Sequence, residues 1–198
     1  FGGAMANWVN SSPIVANSIF WGNTVGEIAN TGSGGAAVIT YSIVQGGYSG
    51  TGNLNADPLF VNATGGNFRL QACSPAINKA TSSGAPANDL DGNPRPVNTG
   101  YDMGAYEYQS GLPSVTAFCQ NQTVYLNAAG NATLAASALN NGSTGCAPLS
   151  FTISGQPNIN FSCANKGNNT VTLTVTDLHG TTSTCNATVT VVDNVNPT

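Results

Sequence analysis

Apolar and polar residues alternate with a period of two along the C-terminal part of the chain. In NTVTLTVTD and CNATVTVVD every second residue is apolar and most of the others are threonine: Val171, Leu173 and Val175 in the first stretch, Ala187, Val189 and Val191 in the second. Because successive side chains of a strand point to opposite faces of its sheet, the pattern predicts half-buried antiparallel strands with a threonine-rich outer face.

Five shorter strand candidates precede these two, separated by turn sequences such as NNGSTG and GQPN. They are SVTAFC, QTVYLNA, NATLAAS, LSFTIS and INFSC. About seven short strands in roughly 85 residues are typical of an immunoglobulin-like β-sandwich. The pattern therefore predicts such a sandwich over residues 114–198, including the start of a further linker.

The first half of the chain has a different pattern, with short apolar runs between glycine and asparagine turns. NSIFWGN at 17–23 and YSIVQGG at 41–47 align at an offset of 24 residues, and DPLFVNA at 57–63 continues the series more loosely. A repeat with one short strand and Gly/Asn turns is typical of a solenoid, in which each unit buries its apolar face against the next. We therefore expect one domain over residues 1–110 and a linker at 111–113.

Several blocks of the first half resemble the closing coils of right-handed parallel β-helix proteins of the pectin-lyase-like superfamily. The blocks are NSIFWGN, ITYSIVQGGYSGTGNLNADPLFVN, FRLQACSPAIN and DLDGNPRPVNTGYDMGAYEY, and they are most similar to those of a bacterial surface group within it. The resemblance implies β-helix end coils, closed by the GYDMGAYEY block. We expect Arg95 to form an ion pair there with Asp102 or Glu107, in a structural role.

Composition narrows the class of protein further. Charged residues make up 6% of the chain, against about 25% in typical soluble domains. With four basic residues and a net charge of -4, the chain cannot form a phosphate-binding stripe, so we expect no nucleic-acid partner. No apolar run approaches the ~18 residues of a membrane span, and the scarcity of helix formers predicts almost no helix.

Five cysteines, one histidine and the absence of a CxxC pair argue against zinc and for disulfides, hence for an oxidising, extracellular compartment. Four cysteines within 114–198 allow three pairings. That region, with its FSCANKG and TSTC blocks, resembles the HYR-type immunoglobulin-like repeats of secreted bacterial surface proteins. The resemblance implies Cys119 with Cys185 and Cys146 with Cys163. Cys73 is then left over. We favour a buried inert thiol, and the alternative is a bond to a cysteine in upstream coils or in another chain.

Candidate sites are few. The carboxylates and bases of the first half are scattered, so we expect no catalytic residues within this sequence. Asp89, Asp91 and Asn93 in DLDGN have the alternating oxygens of a Ca²⁺ loop, but the distal glutamate is missing and a turn that caps its own backbone is favoured. Trp8 and Trp21 are either core residues, which we favour, or a platform for stacking sugars.

These features predict a structural or adhesive segment of a long secreted bacterial surface protein. Because exposed strand edges can pair with those of other copies, the segment could also be a subunit of an extracellular fibre or matrix. Its partners would be other copies of itself, neighbouring surface repeats or glycans. Two alternatives stay open. The sequence could be the cap and accessory domain of a polysaccharide lyase or hydrolase whose active site lies in upstream coils, or its sandwich could be a glycan-binding module.

Overall fold

The chain folds into two compact units, which are described separately. The computed structural model describes residues 3–8, 11–31 and 35–194. One unit is Phe1–Leu112 and the other is Pro113–Thr198. The division between them falls within the linker that the sequence predicts.

Helical structure is minimal, as the shortage of helix-forming residues predicts. Across the described ranges the helices are two short 3-10 turns, Ala136–Leu139 and Cys163–Asn165. Neither they nor any other described segment forms a helix that is long and apolar enough to span a membrane. The fold is therefore all-β.

The described part of the first unit contains eight short strands. They are β1 (Met5–Asn7), β2 (Ile14–Ala16), β3 (Ile19–Phe20), β4 (Ile28–Asn30), β5 (Val38–Thr40), β6 (Ile43–Val44), β7 (Phe60–Asn62) and β8 (Asn67–Leu70). The strands β1, β2 and β3 pair in parallel with β4, β5 and β6, respectively. Ile19 lies opposite Ile43, so the two aligned sequence repeats pair at the offset of 24 residues that the sequence indicates.

The looser third repeat behaves differently from the first two. Leu54, which lies before the DPLFVNA block, forms a parallel bridge to Ile43. β7, within the block, pairs antiparallel with β8 as a hairpin. A parallel stack therefore continues through Leu54 only, and the expectation that DPLFVNA extends it is wrong.

Two apolar clusters hold the first unit together. Ile43, Leu70, Ala76, Ile77 and Met103 form one cluster, in which Ile43, Ala76, Ile77 and Met103 are fully buried. Ala37, Ile39 and Val44 form the other. Each fully buried Ile or Met side chain contributes roughly 1.5–3 kcal/mol relative to exposure, which is the main stabilisation available to strands as short as these.

Residues 76–108, which we call the closing segment, contain no strand and lie against the first repeat at Asn17. The Asn17 side chain donates to the Thr81 carbonyl at 2.8 Å and accepts from the Thr81 N–H at 2.9 Å. The Asn17 carbonyl accepts from the N–H of Gly104 at 2.8 Å. Asn17 has a φ of 57°, a left-handed conformation that asparagine tolerates better than most residues.

The second unit contains six strands in its described part. They are β9 (Gln122–Tyr125), β10 (Asn131–Ala135), β11 (Ser150–Ile153), β12 (Asn158–Ser162), β13 (Gly167–Thr176) and β14 (Thr182–Val192). One sheet has the order β11-β13-β14-β9, and β10 and β12 form another. The first predicted strand, SVTAFC, forms isolated bridges at Thr116 and Cys119 instead, and β9 runs parallel to β14.

The period-2 pattern of the two long strands is confirmed. Val171, Leu173 and Val175 of β13 are buried, as are the apolar residues of β14 at 187, 189 and 191. They share one core with Leu134 and Phe161 of the β10–β12 sheet. The threonines between them lie on the opposite, solvent-accessible face of the sheet.

The disulfide pattern differs from the expected one. Cys119 and Cys185 are bonded, with Cα atoms 5.8 Å apart, as the resemblance implied. Closing a loop over 66 positions contributes roughly 4 kcal/mol in the chain-entropy account. Cys163 is an exposed free thiol, so the expected bond between Cys146 and Cys163 is wrong. Cys146 and Cys73 are each disulfide-bonded, so Cys73 is not the inert thiol that the sequence favoured.

The length of β13 explains why Cys163 cannot reach Cys146. Cys163 lies just before β13 begins, with its Sγ 3.7 Å from the carbonyl oxygen of Gly130. Cys146 lies near the other end of the strand, where its carbonyl accepts a hydrogen bond from the N–H of Leu178, just after β13 ends. Ten extended residues cover about 30 Å. A disulfide needs Cα atoms within about 7 Å.

We predict that iodoacetamide added to the native, unreduced chain labels Cys163 alone, because the other four cysteines are bonded. Peptide mapping by mass spectrometry reports the labelled position, and a Cys163→Ser variant serves as the control that loses the label. A non-reduced peptide joining Cys163 to another cysteine, or label on Cys119, would contradict this arrangement.

Candidate functional site

A surface groove on the first unit lies where the closing segment meets Asn17. It consists of two adjoining cavities of about 540 and 550 Å³. Both are lined by Asn17, Leu90, Gly104 and Ala105, so they adjoin at these residues, and we call the two cavities together the groove. Ligand-binding cavities typically have volumes of ~300–1,000 Å³. The groove is therefore large enough for an extended ligand.

One end of the groove, which we call the aromatic cavity, has four aromatic residues among the ten that line it. Its remaining lining is Ser18, Ile19, Trp21, Phe60, Phe68 and Tyr106. The rings of Phe60 and Phe68 meet edge to face with centroids 5.3 Å apart, a favourable arrangement for an aromatic pair. Phe68 and Leu90 remain 47% and 71% exposed. Such exposed apolar surface around a cavity is typical of interaction sites.

An ion pair at the rim connects two walls of the aromatic cavity. The Arg69 guanidinium contacts both carboxylate oxygens of Asp91, with Nε to Oδ2 at 2.7 Å. Its central carbon lies 4.6 Å from the centroid of the Tyr106 ring, in cation–π geometry. Hydrogen bonding to Asp91 raises the pKa of Arg69 further. The pair is solvent-exposed and fixes geometry more than it adds stability.

The other end, the polar cavity, has a mixed lining of small and polar residues. Besides the shared residues, these are Ile14, Ala16, Ser83, Gly84, Pro86, Asn88, Asp89 and Arg95. Among the described residues that line either cavity, Asp89 and Arg95 are the charged ones. Their availability to a ligand decides what the groove can do.

Arg95 is fully engaged inside the closing segment. Its Nε donates to Glu107 Oε2 at 2.9 Å, its Nη1 to the Gly104 carbonyl at 3.2 Å, and its Nη2 to the Asp102 carbonyl. The side chains of Arg95 and Glu107 are 4% and 0% exposed. Glu107 also accepts from the N–H groups of Val97 and Asp102. The predicted ion pair of Arg95 is thus confirmed, with Glu107 as its partner.

Asp89 is engaged in the same way. Its Oδ1 accepts from the N–H groups of Asp91 at 2.9 Å and Asn93 at 2.8 Å, and its Oδ2 accepts from the N–H of Glu107 at 3.2 Å. Burial opposes ionisation of Asp89, but these hydrogen bonds from Glu107, Asn93 and Asp91 outweigh it and lower the pKa of its carboxyl. Asp89 is therefore an ionised structural group of the turn.

These contacts favour the turn interpretation of DLDGN over the calcium loop. The oxygens of Asp89 accept hydrogen bonds from its own turn, and those of Asp91 accept from Arg69. Asn93 contributes its side-chain amide to Asp89 rather than an oxygen to a shared centre. No cluster of three or more His, Cys, Asp or Glu side chains with metal-binding geometry occurs in the described part of the chain.

Asp102 is the titratable group with the strongest perturbation near the groove. Its carboxylate accepts from the N–H groups of Asn78 at 2.8 Å and Tyr108 at 2.6 Å. Burial raises the pKa of Asp102 to about 6, and these two hydrogen bonds oppose the rise only in part. Asp102 does not line either cavity, so its perturbed pKa belongs to the fold rather than to a reacting site.

The two tryptophans lie in different environments. Trp21 packs against the apolar cluster around Ile43 and also lines the aromatic cavity. Trp8 is 62% exposed, so the expectation that it is a core residue is wrong. Because Trp8 does not line the groove, the two rings do not form one platform.

Sequence reasoning missed the groove itself. Its aromatic rings come from four separate sequence blocks, those around Trp21, Phe60, Phe68 and Tyr106. Taken alone, each block predicts only a strand or part of the closing cap. No spacing rule connects them, because the fold-back of the closing segment brings them together. The blocks are, however, the same ones that carry the β-helix resemblance.

Comparisons with known proteins do not assign the chain to a family. No protein-family model matches the chain. No curated protein matches it either. Functional inference therefore depends on the geometry of the site.

We predict that Asp102 makes the unfolding free energy fall as pH rises from about 4 to about 6. In that interval the folded protein keeps a proton that the unfolded chain, with a pKa of 3.8, has released, so protonation favours the folded state. The effect is roughly 2 to 3 kcal/mol at about 1.4 kcal/mol per pKa unit. Urea unfolding at several pH values measures it.

The matched control is Asp102→Asn, which cannot titrate in this range. Asparagine can accept only one of the two N–H bonds, so the variant is less stable throughout, but its profile is flatter. Parallel profiles for the two proteins would contradict the assignment.

Proposed function

We propose that the chain is a non-catalytic structural and adhesive segment of a secreted surface protein, in which parallel β-helix end coils precede an immunoglobulin-like repeat. The parallel pairing of β3 with β6 at the repeat offset supports the first part. The six strands of the second unit, with one core between two sheets and the Cys119–Cys185 bond, support the second.

The state of the charged groups at the groove carries the adhesive part of the proposal. A hydrolase or lyase site needs carboxylates or bases that can exchange protons with a substrate. Arg95 and Asp89 are instead occupied by internal hydrogen bonds, and Asp91 is paired with Arg69. The same groove presents aromatic rings and exposed apolar side chains, which can bind a ligand but cannot react with it.

The cysteine chemistry supports an extracellular location. Disulfides persist in oxidising compartments, and four of the five cysteines are bonded. The threonine-rich face of β13 and β14 keeps the surface hydrophilic with uncharged hydroxyl groups in place of charged side chains. Other copies of the chain and neighbouring surface repeats are the expected partners, since β9 and β11 are the edge strands of their sheet.

The proposal is tested with beads that carry the purified chain, held under flow against separate surfaces. The surfaces are the chain itself, a neutral polysaccharide film, an acidic polysaccharide film and collagen. We expect retention on at least one surface above that of albumin-coated beads, and no release of reducing sugar or unsaturated uronate. Product release from either film would contradict the non-catalytic role, and retention equal to albumin on every surface would contradict the adhesive role.

A further inference from the structure

We propose that the groove binds a neutral polysaccharide chain, with a sugar ring against the aromatic cavity and a neighbouring sugar in the polar cavity. This inference depends on the proposed adhesive function and gives the chemical class of the ligand. It is drawn from three properties of the groove: its charge balance, the shape and chemistry of its lining, and the state of its backbone groups.

The charge balance favours a neutral ligand. Arg95 forms an ion pair with Glu107, and its remaining contacts are to backbone carbonyls. At the rim, Arg69 and Asp91 neutralise each other. Asp89, the remaining charged lining residue, is ionised and accepts hydrogen bonds from backbone N–H groups. The groove therefore offers no uncompensated positive charge to a uronate or a phosphate, and an anionic ligand would lose hydration without gaining a partner.

The lining matches a ring that is apolar on its faces and polar at its edge. The rings of Trp21, Phe68 and Tyr106 border the aromatic cavity, and aromatic faces pack against the C–H groups of a pyranose. In the polar cavity, Ser83 and Asn88 are exposed, and the Asn88 amide donates one hydrogen bond to the Gly92 carbonyl. Hydroxyl and amide groups both donate and accept hydrogen bonds, as sugar hydroxyls require.

At Asn17 and Ser18, which line the groove, the backbone argues against a peptide that binds by strand addition, since that mode needs unpaired N–H and C=O groups. The N–H of Asn17 donates to Thr40 and its carbonyl accepts from Gly104. The N–H of Ser18 donates to the Ser42 hydroxyl and its carbonyl accepts from Ile43. All four groups are thus used within the protein, so recognition at this corner falls to side chains.

The extent of the groove favours a polymer over a single sugar. Two cavities of similar volume adjoin at Leu90 and Ala105, and each is large enough for at least one ring. Leu90, 71% exposed at this junction, is placed to contact the linkage between two sugars. A chain that occupies both cavities would gain from two linked contacts.

The test is affinity gel electrophoresis of the intact chain in gels that contain mixed-linkage β-glucan, galactomannan, xyloglucan or polygalacturonate. We expect retardation by at least one neutral polymer, with little change when salt is raised. Phe68→Ala and Leu90→Glu should each weaken that binding at least tenfold, the first by removing a ring and the second by placing a charge at the junction.

Trp8→Ala is the matched control, since Trp8 is an exposed aromatic residue outside the groove, and it should bind as the unaltered chain does. Urea unfolding followed by tryptophan fluorescence reports whether Phe68→Ala and Leu90→Glu keep the fold, because both tryptophans belong to the first unit. Leu90→Glu provides the test if Phe68→Ala does not fold. The inference is overturned by retardation in polygalacturonate alone, by no retardation in any neutral gel, or by equal effects of the Leu90 and Trp8 variants. If beads still adhere to collagen or to the chain itself, the adhesive role stands and the ligand class alone is wrong.

Discussion

The buried ion pair between Arg95 and Glu107 is the interaction on which the closing segment of the first unit depends. This segment has no strand to hold it, so its backbone groups need other partners. Arg95 supplies donors to the carbonyls of Gly104 and Asp102, and Glu107 supplies acceptors to the N–H groups of Val97 and Asp102. Two opposite charges thus act as a scaffold for a loop that secondary structure does not organise.

The groove is a consequence of that scaffold. Once the segment is fixed, Gly104 and Thr81 bond to Asn17, and the rings of the earlier blocks meet Leu90 and Ala105 at one surface. The charges that build the segment are spent internally, as buried charges must be to offset their loss of hydration. The surface left for a partner therefore carries aromatic and polar side chains and no unpaired cation, which is the physical basis of the proposed adhesive role.

The features that could be predicted from the sequence are those that depend on the local order of apolar and polar residues. Alternation identified the buried faces of β13 and β14, and the offset of 24 residues identified the partner of β3, because both depend on short-range periodicity. The pairing of Arg95 was also predictable, since few charges exist to choose from.

Long-range geometry accounts for what the sequence could not supply. Cys146 and Cys163 lie 17 positions apart along the chain yet at opposite ends of β13, which no spacing reveals. The parallel pairing of β9 with β14 depends on a crossover between sheets. The groove depends on the fold-back of the closing segment, and its rings read individually as core or cap.

The most direct test of the account is a double-mutant cycle on Arg95→Met and Glu107→Leu, measured by urea unfolding. Both tryptophans belong to the first unit, so their fluorescence reports its unfolding. Each single variant leaves an uncompensated buried charge and should lose about 3–5 kcal/mol, whereas the double variant should lose less than the sum by about 2 kcal/mol. Single losses under about 1 kcal/mol, or additive losses, would contradict the central role of this ion pair.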